Sequence, residues 1–237
     1  MVTAPHLRRR VAALLAIAAV PLLLASAHAQ LPDAVVHVEL IDRFLEPDEA
    51  PLVSYRAFRH LTASTRGGRM TASVDAWTTL DPVHGFNYEV TSRAGSGLIQ
   101  GRVLVAALQA EQDAHRASDP AQSALTRANY EFLDITPETG RLVKVDVKPR
   151  RKHVMLVQGA LFVEAASADL VRIEGELSKR PSFWTRRVRV VRDYERIEGV
   201  HVPVSMRSTA DVLIVGASSF EMTYRYSEIN GKVIPQK

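Results

Sequence analysis

The chain has 237 residues, with 30 Lys and Arg against 26 Asp and Glu, and it contains no cysteine. Without cysteine it can have no disulfide, no thiol nucleophile and no lipid-modified N-terminal cysteine, so an apolar core must hold the fold. Three of the positive charges, Arg8 to Arg10, precede an apolar leader, and the rest of the chain is close to neutral. Nucleic acid is therefore not an expected partner, because nucleic-acid-binding domains usually keep a strong positive excess.

The first 29 residues have the pattern of a secretory leader. The basic residues Arg8 to Arg10 precede an apolar run, Val11 to Leu24, and the sequence Ala27-His28-Ala29 supplies a small-x-small cleavage site. The apolar run is shorter than the roughly 20 residues that span a bilayer. We expect residues 1–29 to be a signal peptide, and the mature chain, residues 30–237, to lie in the periplasm without a transmembrane anchor.

A single amphipathic helix is predicted at the start of the mature chain. Within DAVVHVELIDRFLEP, apolar residues recur at helical spacing, among them Val35, Val38, Ile41 and Leu45. Asp33 is suited to the N-cap, and a proline follows the last apolar residue of the pattern.

After this helix the apolar pattern changes to a period of two, which is typical of strands. The predicted strands are Val53–Ala63, Arg69–Leu80, Phe86–Arg93, Asn129–Thr136, Leu142–Lys148, Lys152–Val157, Ala160–Ala166, Leu170–Lys179, Phe183–Ile197, His201–Val212 and Ser218–Glu228. Short turns such as Arg66-Gly67-Gly68 and Glu198-Gly199 separate them, which favours antiparallel neighbours. A second helix is predicted in SGLIQGRVLVAALQAEQDAHR, with an apolar face formed by Leu98, Val103, Leu104, Ala107 and Leu108. No linker or repeat divides the chain, so we expect one mainly β domain with few helices.

Six arginines lie between Pro181 and Ser208, which is dense enough to suggest an anion site. Period-two alternation places Arg187 and Arg189 on the face opposite the valines, and this arrangement favours a solvated sheet face over a phosphate site. Arg186 and Arg192 fall on the apolar face, a position that suits a strand end or the rim of a cavity.

Three successive predicted strands share one apolar face. A strongly curved sheet with helices on its concave side can leave an apolar hollow there, where a hydrophobic ligand binds. We expect the ligand-binding residues to be Trp184, Val188, Val190, Val202, Val204, Met206, Met222 and Tyr224.

The sequence carries no strong catalytic or metal-binding motif. The Gly95-Ser96-Gly97 turn precedes a helix but lacks the βαβ setting of a dinucleotide site, and the histidines have no metal-ligand spacing. There is no GxSxG, although a spatially assembled hydrolase site stays open as a third class of function. We expect no catalytic residue, metal or cofactor. The basic run Lys148–Lys152 is interpreted either as a charged turn or as a contact for anionic lipid or an acidic partner.

The order of these elements resembles the LolA/LolB-like lipoprotein carriers, a superfamily that includes periplasmic sensors of the MucB/RseB type. The segments DLVRIEGELSKRPSFWTRRVRVVRDYERIEGVHVPVSMRSTADV and SSFEMTYRYSEING are similar to members described as outer-membrane lipoprotein-sorting proteins. The resemblance implies an incomplete β-barrel of about eleven strands, strongly curved, antiparallel and closed by helices around an apolar cavity for acyl chains.

Two functions follow from that resemblance. The first is a periplasmic carrier or binding protein for a lipid, a lipoprotein acyl group or another amphiphile. The alternative is an envelope protein–protein interaction or stress-sensor module on the same fold, without ligand transport. Neither is an enzyme. A LolB-like receptor is normally lipid-anchored, and this chain lacks the cysteine for such an anchor.

Overall fold

The computed structural model describes residues 33–46, 50–117, 122–180, 185–212 and 216–236. The predicted signal peptide lies outside these residues. The helices are α1 (Asp33–Leu45), α2 (Gly97–Ile99) and α3 (Ala106–Ala117), and a π-helical segment, Gln100–Val105, joins the last two. The strands are β1 (Tyr55–Thr65), β2 (Met70–Asp81), β3 (Gly85–Gly95), β4 (Tyr130–Pro137), β5 (Leu142–Pro149), β6 (Val157–Glu164), β7 (Leu170–Leu177), β8 (Thr185–Ile197), β9 (Val200–Val212), β10 (Gly216–Ile229) and β11 (Lys232–Val233). No helix within the described ranges is long and apolar enough to cross a bilayer.

All eleven strands form one curved antiparallel sheet that is not closed. The strand order is β3-β2-β1-β10-β9-β8-β7-β6-β5-β4, and β11 pairs with the end of β10. The edge strands, β3 and β4, are consecutive in the sequence, so the chain between them connects the two edges of the sheet. That connection contains α2, the π segment and α3, which together we call the helical insertion. The mainly β fold class and the incomplete barrel are confirmed.

The sequence prediction differs from the structure at two strands. Lys152–Val157 was predicted as a strand, but residues 150–156 form the connection between β5 and β6. These two strands are antiparallel neighbours, so the chain must reverse direction between them. The eleventh strand is instead β11, which follows the Asn230-Gly231 turn, where φ is +47° and +78°. Asn-Gly at positive φ is the typical two-residue hairpin turn.

The helical insertion buries a different set of residues from the predicted face. Ile99, Leu104 and Leu108 are buried, whereas Leu98 is 58% exposed and Val103 is 40% exposed. The step from Ile99 to Leu104 is five residues, and the π segment spans it with its i→i+5 hydrogen-bond pattern. The next step, to Leu108, is an ordinary four-residue helical step. The prediction was wrong for Leu98 and Val103 because it assumed an uninterrupted α-helix.

The helices pack on one face of the sheet, which we call the inner face, and form two separate apolar cores there. The insertion core joins the buried side of the helical insertion to β1, β2, β3, β9 and β10. The α1 core joins Leu40 and Ile41 of α1 to β4, β5, β6 and β7 and to Leu156. Each helical element therefore covers one end of the sheet.

The outer face of the sheet is solvated and carries most of the arginines of the dense segment. Arg187 and Arg189 are exposed, as the alternation predicted. Arg207 and Arg172 both bond to Asp193. Burial raises the pKa of Asp193, but the Ser205 hydroxyl and these two arginines outweigh burial and hold the pKa below its usual range.

Two glycines allow β6 and β7 to approach each other closely. Gly159 and Gly175 are directly paired across the two strands. A Cβ atom on Gly159 would lie 2.1 Å from the Glu174 carbonyl oxygen, and one on Gly175 would lie 2.2 Å from the Gln158 carbonyl oxygen. Both obstructions are backbone atoms, so relief requires movement of the strands rather than of a side chain.

We expect Gly159→Ala to destabilise the protein by about 1–3 kcal/mol, the usual cost of forcing extra volume into a packed structure. The matched control is Gly101→Ala, because Gly101 has open space around its Cβ position and no positive φ. Alanine in a helical segment should leave stability unchanged or raise it by up to about 1 kcal/mol. Urea unfolding of both variants measures the difference. Equal stabilities would show that β6 and β7 are not as close as described.

Candidate ligand-binding site

Nine residues, one from each of nine neighbouring strands, lie opposite one another in a continuous row across the sheet. Directly opposed residues of antiparallel strands share a face, and the buried members of this row pack under the helices on the inner face. From β2 to β4 the row, which we call the central row, is Val74, Leu61, Met222, Met206, Arg192, Ile173, Leu161, Val145 and Ile135. Eight of these residues are apolar, and the ninth is Arg192.

The middle of the central row keeps some accessible surface, as does Ile135 at the β4 edge, while the other members of the row are buried. Toward one end, Val74 and Leu61 are fully buried in the insertion core. Toward the other, Leu161 is fully buried in the α1 core. Between them, on β9, β8 and β7, Met206, Arg192 and Ile173 are only partly buried. The accessible centre therefore lies between the two cores.

A second row on the same face carries little side-chain bulk beside this centre. Two residues along from the central row, Ser208, Val190, Gly175 and Gly159 are paired in register from β9 to β6. One of these side chains is a serine and two are absent. The side chains that line the inner face beside Arg192 are therefore small.

A groove leads toward this centre from the end of α1. Its volume is about 440 Å³, and its lining is mixed. The apolar Phe44, Leu45, Leu125 and Leu170 and the rings of Tyr194 and His201 lie among the charged Arg43, Glu46, Asp169 and Arg196. Tyr194 lies in this groove and also accepts a hydrogen bond from Arg192. The accessible centre and the groove therefore meet at Tyr194.

Arg59 is buried on the inner face and fastens the sheet to the helical insertion. It is 1% exposed, and its guanidinium donates to both carboxylate oxygens of Glu111 on α3, at 2.6 and 2.9 Å. It also donates to the Tyr55 hydroxyl at 2.7 Å. Burial lowers the pKa of Arg59, but the hydrogen bonds to Glu111 outweigh burial and the pKa is raised above its ordinary value. Arg59 therefore stays charged at every relevant pH.

Aromatic rings enclose the same guanidinium. The Arg59 carbon Cζ lies 4.5 Å from the centre of the Tyr224 ring and 5.0 Å from that of Phe86. Tyr224 in turn stacks on Tyr226, with ring centres 6.2 Å apart. A desolvated cation–π contact strengthens such a cluster beyond its ion pair. Arg59 with Glu111 and these rings forms a rigid border on the insertion side of the accessible centre.

Arg192 lies on the same face but has a different environment. Its Nη2 atom lies 3.5 Å from the Met206 sulfur, and the guanidinium donates to the Tyr194 hydroxyl. Among the described residues no carboxylate forms an ion pair with it. Burial lowers the pKa of Arg192, but Tyr194, Tyr224 and the Glu111 carboxylate together outweigh burial and leave the pKa above its ordinary value. A guanidinium of this kind remains a cation.

The residues predicted as ligand-binding fall in several environments. Val188, Val190, Met206 and Met222 share the inner face by register, and Met206 is the member of the eight that lies in the accessible centre. Val202 is fully buried inside the insertion core. Val204 lies at the register shift between β8 and β9. The Tyr224 ring packs against the Arg59 guanidinium. Trp184 lies outside the described residues.

Sequence reasoning missed several residues of this region. Ile173 on β7, Tyr194 as a partner of Arg192, and the Arg59–Glu111 pair were not assigned to the site. The alternation of β1 carried the signal for Arg59, since it shares its face with the buried Ala57 and Leu61. Arg192 was placed on the apolar face by the same alternation. Nothing in the sequence indicated that Glu111, 52 residues away, would reach Arg59.

The basic run has a structural role in the connection that follows β5. Arg150 donates to the Arg127 carbonyl oxygen, and Arg151 donates to Gln122 and Asn129. These bonds tie the connection to the segment before β4, which favours the charged-turn interpretation. Lys148 and Lys152 remain exposed. Within the described ranges, no group of three metal-ligating side chains comes together.

The fold defines the class of protein as an incomplete antiparallel β-barrel closed by helices on its inner face. Among solved structures, the chain is similar to the crystal structure of the LolA superfamily protein NE2245 from Nitrosomonas europaea. The two chains are 12% identical with a TM-score of 0.39, over 87% of this chain and 96% of that one. No family model matches the sequence, and no curated protein matches it.

Removing the charge of Glu111 should destabilise the protein, because Arg59 would keep a buried charge without its counter-ion. We expect Glu111→Gln to cost roughly 2–4 kcal/mol, somewhat below the usual cost for a buried pair because Glu111 is partly exposed. Replacing both residues, Arg59→Met with Glu111→Leu, should restore most of the loss. The control Glu131→Gln breaks the exposed pair with Arg150 and should cost under about 1 kcal/mol. Equal effects of Glu111→Gln and Glu131→Gln on denaturant unfolding would contradict a buried fastening.

Proposed function

We propose that this chain is a periplasmic carrier or binding protein for a lipid, a lipoprotein acyl group or a similar amphiphile. An aliphatic chain would lie on the inner face between the insertion core and the α1 core. The observation that carries this proposal is the accessible, apolar middle of the central row, where Met206 and Ile173 keep surface that the two helical covers leave open.

The surface chemistry fits a flexible aliphatic ligand better than a polar one. On either side of Arg192 the row offers methionine and isoleucine, and the adjacent row offers glycine and serine. Methionine adapts its shape to varied apolar partners. Each methylene removed from water contributes about 0.8 kcal/mol, so a chain of ten or more carbons would bind through burial alone. The groove ending at Tyr194 supplies a route inward. This role involves no covalent chemistry, and the proposal is therefore of a non-enzymatic protein.

The proposal is tested by filling the accessible centre. We expect the mature protein to bind the uncharged fluorescent probe N-phenyl-1-naphthylamine, and dodecan-1-ol to displace it. Ile173→Trp should weaken probe binding about tenfold or more while the melting temperature stays within a few degrees, because the indole would occupy open space. The control is Val191→Trp, on the opposite face of β8, which should leave binding unchanged.

The opposite result is equally clear. If the centre is a filled core, Ile173→Trp will overpack it at a cost of about 1–3 kcal/mol, and the parent protein will bind no probe. That pair of results would reject the carrier.

The alternative, an envelope interaction or sensor module, has a separate observation in its favour. Leu98 and Val103 of the helical insertion point away from the core and are 58% and 40% exposed. Two apolar side chains of this size on one short element suit a protein contact. Mass spectrometry of the natively purified protein separates the two functions. A co-purifying lipid supports the carrier, whereas a stoichiometric protein partner released by Leu98→Gln with Val103→Gln supports the interaction module.

A further inference from the structure

Two arginines of the described inner face, Arg59 and Arg192, lie beside the accessible centre, and only Arg59 forms an ion pair there. Arg59 engages both oxygens of Glu111 in a bidentate pair, and the same carboxylate acts on Arg192 only through space. Arg192 contacts a thioether and a phenol, neither of which carries negative charge at neutral pH. One carboxylate therefore serves two guanidiniums, and Arg59, Arg192 and Glu111 together carry a net positive charge.

A guanidinium without an ion pair in such a setting is costly to the folded protein. A buried charge is tolerated when it is paired and hydrogen-bonded, and an apolar residue at the same position would often be more favourable. Both neighbours of Arg192 in the central row, Met206 and Ile173, are apolar, so nothing in the packing of the row calls for a cation. The guanidinium has five N–H donors, and the contact with the Met206 sulfur is a weak one that leaves it able to donate to a ligand.

The residues around Arg192 indicate which kind of anion would bind to its guanidinium. Apolar side chains extend along the row on both sides, and the groove at Tyr194 leads in from the end of α1. A free inorganic anion would gain nothing from those apolar surfaces. An anion joined to an aliphatic chain would gain from both, because the chain covers the row while the acid group accepts from Arg192.

We propose that Arg192 binds the acidic headgroup, a carboxylate or a phosphate, of a single-chain amphiphile whose aliphatic chain lies along the central row. This inference rests on the proposed function and adds the charge of the ligand to it. The Tyr194 hydroxyl lies within reach of the same headgroup, because it already bonds to the guanidinium. Charge-assisted hydrogen bonds of this kind are stronger than neutral ones, so the headgroup contributes selectivity as well as affinity.

The test compares matched ligands of one chain length on the mature protein. Laurate, dodecyl phosphate and dodecan-1-ol are titrated as competitors of N-phenyl-1-naphthylamine at pH 7.5, with inorganic phosphate as the anion without a chain. We expect laurate and dodecyl phosphate to bind about tenfold or more tightly than dodecan-1-ol, as one or two charge-assisted hydrogen bonds provide. Inorganic phosphate should not compete at concentrations where dodecyl phosphate does.

The variant Arg192→Met should abolish the advantage of the two anions and leave dodecan-1-ol binding within about twofold. Arg189→Met removes an exposed arginine of the same strand and should change none of these affinities. Arg192→Gln is a second variant that keeps a polar group of moderate size, and it should lose the advantage as well. Circular dichroism and melting temperature establish that each variant is folded, and the comparison of laurate with dodecan-1-ol requires no variant.

The outcomes separate this inference from the proposed function. If dodecan-1-ol binds and the anions have no advantage, or if Arg192→Met weakens all three chains equally, the headgroup role is wrong and the carrier stands. If inorganic phosphate competes as well as dodecyl phosphate, the site is for a free anion and the inference fails. If none of the chains binds, the carrier itself is rejected together with its headgroup site.

Discussion

The sheet is much wider than the helices that pack on its inner face, and the rest of the structure depends on this difference in width. Ten strands lie side by side, and at about 4.8 Å between neighbours the sheet extends about 43 Å from edge to edge before curvature is counted. A helix is only about 10–12 Å across with its side chains. The insertion and α1 each cover one end of the inner face. Met206 packs against the insertion core and Ile173 against the α1 core, and both keep partial exposure. An apolar sheet face with two separate covers keeps partial accessibility between them.

Arg59 and Arg192, the two described arginines beside the accessible centre, have different roles. Arg59 holds the insertion against β1 through Glu111, and aromatic rings shield the pair from water, so that end of the face is fixed. Arg192 forms no ion pair with any described carboxylate, and its guanidinium contacts the Met206 sulfur. Arginine therefore has two roles on this face. Arg59 holds the insertion to the sheet, and Arg192 is a candidate ligand-binding group. What differs between them is the presence of a carboxylate on the opposing helix.

Much of the fold could be predicted from the sequence because alternation and turn residues are local signals. The period-two pattern located ten of the eleven strands, and it separated the exposed Arg187 and Arg189 from the valines beside them. The prediction was wrong where the local pattern does not decide the structure. Residues 152–157 alternate like a strand, but the chain reverses direction there. In the helical insertion, the π segment changes the helical spacing, so Leu98 and Val103 are exposed rather than buried. The site was less predictable, since the accessibility of Arg192 and Ile173 depends on where two distant helices stop.

The central claim is that the middle of the inner face is accessible and accepts an aliphatic chain. Because the protein has no cysteine, a single introduced thiol reports on one position alone. In the folded Ile173→Cys variant, the thiol should react with a small uncharged maleimide much faster than that of Leu161→Cys, its fully buried neighbour in the central row. Dodecan-1-ol should slow the reaction of Ile173→Cys and leave that of an outer-face Val191→Cys variant unchanged. If Ile173→Cys reacts only when the protein unfolds, at the rate of Leu161→Cys, the centre is a closed core and the account is contradicted.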